Sequence, residues 1–176
     1  RYSDKKLVEK KCKESLDKGF KIVKLHEILN ETIEAARNFL GKDIPLMTDV
    51  NCAWTYDEVF EKKSFLKKMN LLWLEEPIFP PEDFKKLSKI NNDLGISLAA
   101  GENACTHWEF EKMIDAKAVN FTQPSVIKVG GISEMLKIIN LSENKKIPVM
   151  PHTAYFGPGF LASLHLASIT KMEVFI

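Results

Sequence analysis

Short β-branched runs alternate along this chain with longer stretches whose apolar residues recur at helical spacing among Lys and Glu. Residues 4–18 place Leu7, Val8, Cys12 and Leu16 on one side, which predicts a helix with Gly19 as its stop. KIVKL (21–25) predicts a strand, residues 30–40 a helix with Asn30 as N-cap, and IPLMTDV (44–50) a second strand. The run 55–69 predicts one helix, with Thr55 and Glu58 at capping-box spacing. LLWLEEP (71–77) reads as a strand, and Pro80 and Pro81 open a helix over 81–90. Strands follow at ISLAAGEN (96–103), AVNFTQ (118–123) and IPVMPH (147–152). Helices follow at 106–116, 132–145 and 160–169, and MEVFI (172–176) starts a last strand.

No hairpin signal joins any two strands, so strands separated by helices are expected to run parallel. Several are apolar at nearly every position, as in strands covered on both faces. A doubly wound sheet and a (β/α)8 barrel both fit. Spacing favours the barrel. The polar residues ending the strands (Lys24, Asp49, Glu75, Glu102, Ser125 and His152) recur every 23 to 27 residues. No G-x-G-x-x-G follows a strand, which argues against a dinucleotide-binding sheet. A whole barrel takes about 250 residues. The seven strands here number as the second to the eighth. Together with the Arg start and apolar end, this predicts one incomplete barrel domain over 1–176, lacking the first strand.

Composition narrows the class. The 176 residues carry 25 basic and 24 acidic side chains, for a formal net charge of +1, and are 45% hydrophobic and 28% charged. These proportions suit a soluble globular domain. A balanced charge argues against nucleic-acid binding, which leans on a basic excess. No apolar run reaches the ~18–20 residues of a membrane span, and the N-terminus lacks a signal-peptide pattern. The three cysteines, Cys12, Cys52 and Cys105, have no metal-like spacing and fit a reducing cytoplasm.

In a (β/α)8 barrel the C-terminal strand ends converge on one mouth. Asp49, Glu75 and Glu102 then become three converging carboxylates, which repel unless a cation lies between them. An all-oxygen set from rigid strands suits Mg²⁺. A single strand-end acid is most often a helix cap or a solvated loop residue; three in succession favour the metal reading. Lys24 and His26 are two apart and face the same way. A Lys beside a divalent metal can hold a substrate carboxylate, and a His can take a proton from carbon. His152 stands at the other side of the ring. Asn51 and Asn103 each follow an acid and could orient it, although turn chemistry explains them equally.

The order K-x-H, D-x-N, L-E-E-P, G-E-N, P-x-x-x-K-x-G-G and a strand-end His resembles the enolase superfamily, in particular its mandelate racemase-like branch. The resemblance runs from GFKIVKLH to MEVFI. It implies a capping domain, absent here, over a modified (β/α)8 barrel. It further implies Asp49, Glu75 and Glu102 as Mg²⁺ ligands, Lys24 on the substrate carboxylate, His26 in place of a Lys base, and His152 as the acid or base of the opposite face. Asn51 matches a position that touches the substrate, and Tyr155 is a candidate for specificity. Two departures stand out. His26 replaces Lys, and Ser125 replaces the Asp that orients the strand-end His in this branch. A His152 without a carboxylate partner is expected to serve as an acid rather than a base.

The chemistry so implied is abstraction of the proton α to a carboxylate, through an enediolate, from a small carboxylate substrate. An acid-sugar or hydroxy-acid dehydratase is the favoured outcome; a racemase or epimerase, or a non-catalytic barrel that only binds, are the alternatives. A part of the barrel alone is expected to be inactive, and the whole protein to form a homo-oligomer.

Overall fold

A computed structural model describes residues 1–153 and 156–175. They fall into two compact units: Arg1–Phe79 with Asp93–Ser97, and Pro80–Asn92 with Leu98 onwards.

The first unit begins with α1 (Lys5–Asp17), where the Asp4 side chain accepts from the Leu7 amide at 2.8 Å. Such a cap satisfies one of the donors left over at a helix start. β1 (Val23–Leu25) leads to α2 (Asn30–Leu40) and β2 (Leu46–Asp49). Asn30 is the first helical residue and not the cap. Leu29 holds that place, and the Asn30 Oδ1 accepts from Lys62 Nζ at 3.3 Å. The helix expected over 55–69 is two, α3 (Tyr56–Glu61) and α4 (Lys63–Lys68), parted at Lys62. The apolar face continues across the break, with Val59 and Leu66 both fully buried. Periodicity is therefore blind to it. The Thr55–Glu58 capping box forms as read. β3 (Leu74–Glu75) completes a parallel set. Val23 pairs with Leu46, Thr48 with Leu74, and Asp49 with Glu75.

Arg37 on α2 is buried without a carboxylate in any hydrogen bond it is seen to make. Its guanidinium donates to the carbonyls of Met69 (2.7 Å), Gly41 (2.7 Å), Ile44 (2.9 Å) and Asn70 (3.1 Å). It thereby ties the end of α2 to the turn that follows α4.

In the second unit, α5 (Phe84–Leu94, its last two residues counting with the first unit) starts three residues later than expected. Pro80 and Pro81 lie in the turn before it, and Asp83 accepts from the Lys86 amide at 3.0 Å. β4 (Leu98–Ala100) and β5 (Phe121–Thr122) pair in parallel, Ala99 with Phe121 and Ala100 with Thr122. α6 (His107–Asp115) is capped by Thr106. α7 (Ile132–Asn144) and α8 (Pro158–Ala167) follow. Phe110, Met135 and Ile138 form fully buried parts of this unit's core.

Two expected strands are not formed as such. IPVMPH contributes a single bridge, Thr122 to Val149. Pro148 and Pro151 have no N–H to extend a ladder. In 172–175 no strand is present, and the Phe175 amide donates to Met150 Sδ at 3.3 Å. The order of elements, parallel strands linked by helices, is that of an α/β barrel. No helix of the described residues is long and apolar enough to cross a membrane.

Candidate active site

In the first unit the register places Asp49 beside Glu75 at adjoining strand ends. Both carboxylates are buried, with side chains 9% and 0% exposed. Lys24 reaches them from β1. Its Nζ lies 2.5 Å from Glu75 Oε1 and 3.6 Å from Asp49 Oδ2. Two buried acids side by side repel strongly, and a cation between them offsets that cost. The other oxygen of Glu75, Oε2, accepts from the Trp73 indole Nε1 at 2.9 Å. Asp49 Oδ1 accepts from the Asn51 amide at 2.9 Å, a turn that holds the carboxylate in place.

His26 lies one residue past β1. The alternation of exposed and buried positions continues through Lys24, Leu25, His26 and Glu27, so Lys24 and His26 are both exposed. Both line a cavity of about 550 Å³ in this unit. Buried Glu27 accepts from the Tyr2 amide at 2.5 Å and takes Thr48 Oγ1 on its carbonyl at 3.1 Å. The backbone just past β2 and β3 is unusual. Asn51, Cys52 and Glu76 have φ of 51°, 56° and 42°, and the Cys52 amide donates to the Glu76 carbonyl at 2.7 Å. Left-handed non-glycine residues cost free energy and cluster at functional sites.

In the second unit Glu102 follows β4 by two residues. Gly101 between them has φ +135°, and an added Cβ would meet Phe110 Cε1 at 2.7 Å. Only glycine fits the turn that carries Glu102. Glu102 Oε2 is 2.7 Å from His152 Nδ1, with side chains 9% and 14% exposed. The His152 amide donates to the Pro124 carbonyl at 3.0 Å. Ser125 is buried, and its Oγ accepts from the Lys128 amide at 3.4 Å.

This corrects one expectation. His152 does not lack a carboxylate neighbour: Glu102 Oε2 stands beside its Nδ1. Strand order compares like positions between proteins and is silent on the reach of a side chain from another strand end. Tyr155 lies outside the described residues.

Thus Lys24, Asp49 and Glu75 are brought together in one unit, with His26 on the same face as Lys24 and Asn51 at the Asp49 turn. Glu102 and His152 are brought together in the other. Trp73 is not among the site residues expected from the sequence. Its place two residues before Glu75, on the same side of an extended chain, was the signal of its contact.

The family description "Enolase C-terminal domain-like" matches residues 7–175. The chain belongs to this family of the enolase superfamily. It is 34% identical over 177 residues to arabinonate dehydratase of Saccharolobus solfataricus, across 95% of this chain and 47% of that protein. The crystal structure of 3,6-anhydro-D-galactonate cycloisomerase from Zobellia galactanivorans matches with a TM-score of 0.91 and 27% identity, covering 97% of this chain and 50% of that one. L-talarate/galactarate dehydratase from Salmonella typhimurium, solved with Mg and L-lyxarohydroxamate, matches with a TM-score of 0.87 and 28% identity, covering 98% and 44%. The chain spans about a third to a half of the length of the curated relatives it matches. These likenesses support the parallel (β/α) barrel architecture.

Proposed function

We propose that this chain carries the metal-binding and proton-transfer groups of a Mg²⁺-dependent enzyme that removes the proton α to the carboxylate of a small acid, and that the reaction is dehydration of an acid sugar. In this reading residues 1–176 belong to one barrel domain. The observation that carries it is the buried pair Asp49–Glu75 at adjoining strand ends, with the Lys24 ammonium set across it. Hard oxygen donors on rigid strands fit Mg²⁺, and Asp49, Glu75 and Glu102 would hold it. The ion, when bound, supplies electrophilic stabilisation of negative charge on the substrate carboxylate.

The chain's own residues do the rest. Lys24 holds the substrate carboxylate and balances charge as it grows there. His26 takes the α-proton, and the C–H electron pair moves into the bond toward the carboxylate carbon. His152 gives a proton to the β-hydroxyl, which leaves as water as the pair returns to form the Cα–Cβ double bond. The enol product then tautomerises to a 2-keto acid. Asn51 and Tyr155 contact the substrate's substituents. The reading includes a cytoplasmic location, in keeping with three free cysteines, and self-association.

The preference for dehydration is supported by the activities of two relatives, arabinonate dehydratase and L-talarate/galactarate dehydratase. It no longer rests on a His152 without a partner. That same Glu102–His152 pair favours a second reading, in which His152 serves as a base on the opposite face and the enzyme is a racemase or epimerase. Incubating the protein at its full natural length with Mg²⁺ in D₂O against pooled acid sugars separates the two. Loss of the mass of water from one compound is expected. Deuterium gain without mass loss would overturn dehydration in favour of racemisation or epimerisation, and no change in any compound would overturn both.

A further inference from the structure

The two oxygens of the Glu75 carboxylate have different partners. Oε1 faces Lys24 Nζ at 2.5 Å, and Oε2 takes the Trp73 indole N–H at 2.9 Å. Both side chains are buried, Glu75 fully and Trp73 at 3% exposed. We infer that Trp73 is a positioning residue for the divalent-metal site: its indole N–H holds Oε2 and so turns Oε1 toward the cation side, where Lys24 and Asp49 meet. The inference rests on the reading of Glu75 as a Mg²⁺ ligand and extends it to a residue that touches neither metal nor substrate.

Three physical points support the assignment. An indole N–H only donates, so it can engage the carboxylate and cannot itself bind a cation. It is neutral, so it orients Glu75 without cancelling the charge a cation needs; a second Lys or Arg at that oxygen would compete with the metal. Its own position is fixed. The Trp73 carbonyl accepts from the Thr48 amide at 3.4 Å, and the ring has only two torsions to lock. A free glutamate has three torsions, whose freezing on metal binding costs affinity. Outer hydrogen bonds of this kind typically change metal affinity about 10- to 100-fold.

A buried indole also needs an acceptor for its own sake, so the test must separate support of the fold from support of the metal. The full chain and its Trp73→Phe variant are titrated with Mg²⁺ by calorimetry, and the melting temperature of each is read without metal. Phe keeps the ring and removes the donor. The expected result is a Mg²⁺ affinity about 10-fold or more weaker in a variant that still melts cooperatively. Unchanged affinity, within twofold, in a variant whose parent binds Mg²⁺ overturns the inference and leaves the metal reading standing. A parent that binds no Mg²⁺ overturns the reading itself. Should Trp73→Phe not fold, the indole ¹H–¹⁵N resonance of Trp73 in the parent decides. It should move when Mg²⁺ is added and again in Glu75→Gln; a resonance indifferent to saturating Mg²⁺ rejects the role.

Discussion

Gly101→Ala tests how the fold carries Glu102. Gly101 sits between Ala100, the end of β4, and Glu102, with φ +135°. A new Cβ would lie 2.7 Å from Phe110 Cε1, 3.0 Å from its Cζ and 3.0 Å from the Gln123 amide nitrogen. Neither neighbour can yield. Phe110 is fully buried, and the Gln123 amide is bound to the Ala100 carbonyl at 2.9 Å. Backbone strain at such a φ costs roughly 1–3 kcal/mol, and overpacking a filled site costs about as much again. The expected loss is therefore roughly 2–6 kcal/mol, a large part of the ~5–15 kcal/mol that a domain has in hand. At ~2–4 °C per kcal/mol for a chain of this size, a loss near the middle lowers the melting temperature by roughly 8–16 °C. Gly130→Ala is the control. Gly130 has φ +93° and nothing within 4 Å of an added Cβ, so it reports backbone strain alone. Thermal melts by circular dichroism compare the two. Equal melting temperatures for both variants would refute the packing argument.

Arg37→Met keeps most of the buried stem and removes all four carbonyl contacts. Hydrogen bonds from a charged donor contribute ~1.5–3 kcal/mol each, but Asn70 and Gly41 are exposed and their carbonyls can be rehydrated, so a net loss of about 2–4 kcal/mol is expected; a urea midpoint equal to the parent's would contradict it. The Glu134 carboxyl is lowered from 4.5 to about 2, chiefly by the His107 ring on Oε1, then by Lys137 on Oε2 and the His107 amide. A carboxyl lowered by folding adds stability above its unfolded pKa, and that stability is lost as pH falls from about 4.5 toward about 2. The melting temperature of Glu134→Gln should thus lie below the parent's near neutral pH and converge with it across that window; parallel curves would reject the linkage.

Much of this was legible in the residues because local rules governed it. The Thr55–Glu58 box depends on side chains within one turn, and it forms. α1 and α2 end within a residue of where periodicity puts them. The pairing of Asp49 with Glu75 follows from parallel neighbouring strands that end together. Other features depend on contacts that spacing does not encode. IPVMPH has the hydrophobicity of a strand, but its prolines hold it to one bridge. Residues 172–175 are similarly rich in apolar side chains but form no strand. Arg37 looks like a surface residue of an amphipathic helix, and its burial becomes intelligible only with the four carbonyls around it. The Glu102–His152 pair was missed for a similar reason: it joins residues fifty positions apart through side-chain reach.

The most direct test of the central claim is a calorimetric Mg²⁺ titration of the protein beside Asp49→Asn and Glu102→Gln, one substitution from each unit. A single Mg²⁺ site per chain is predicted, weakened at least tenfold by either substitution, because each removes the charge of a proposed ligand. Absence of Mg²⁺ binding, or binding that neither substitution weakens, would contradict it.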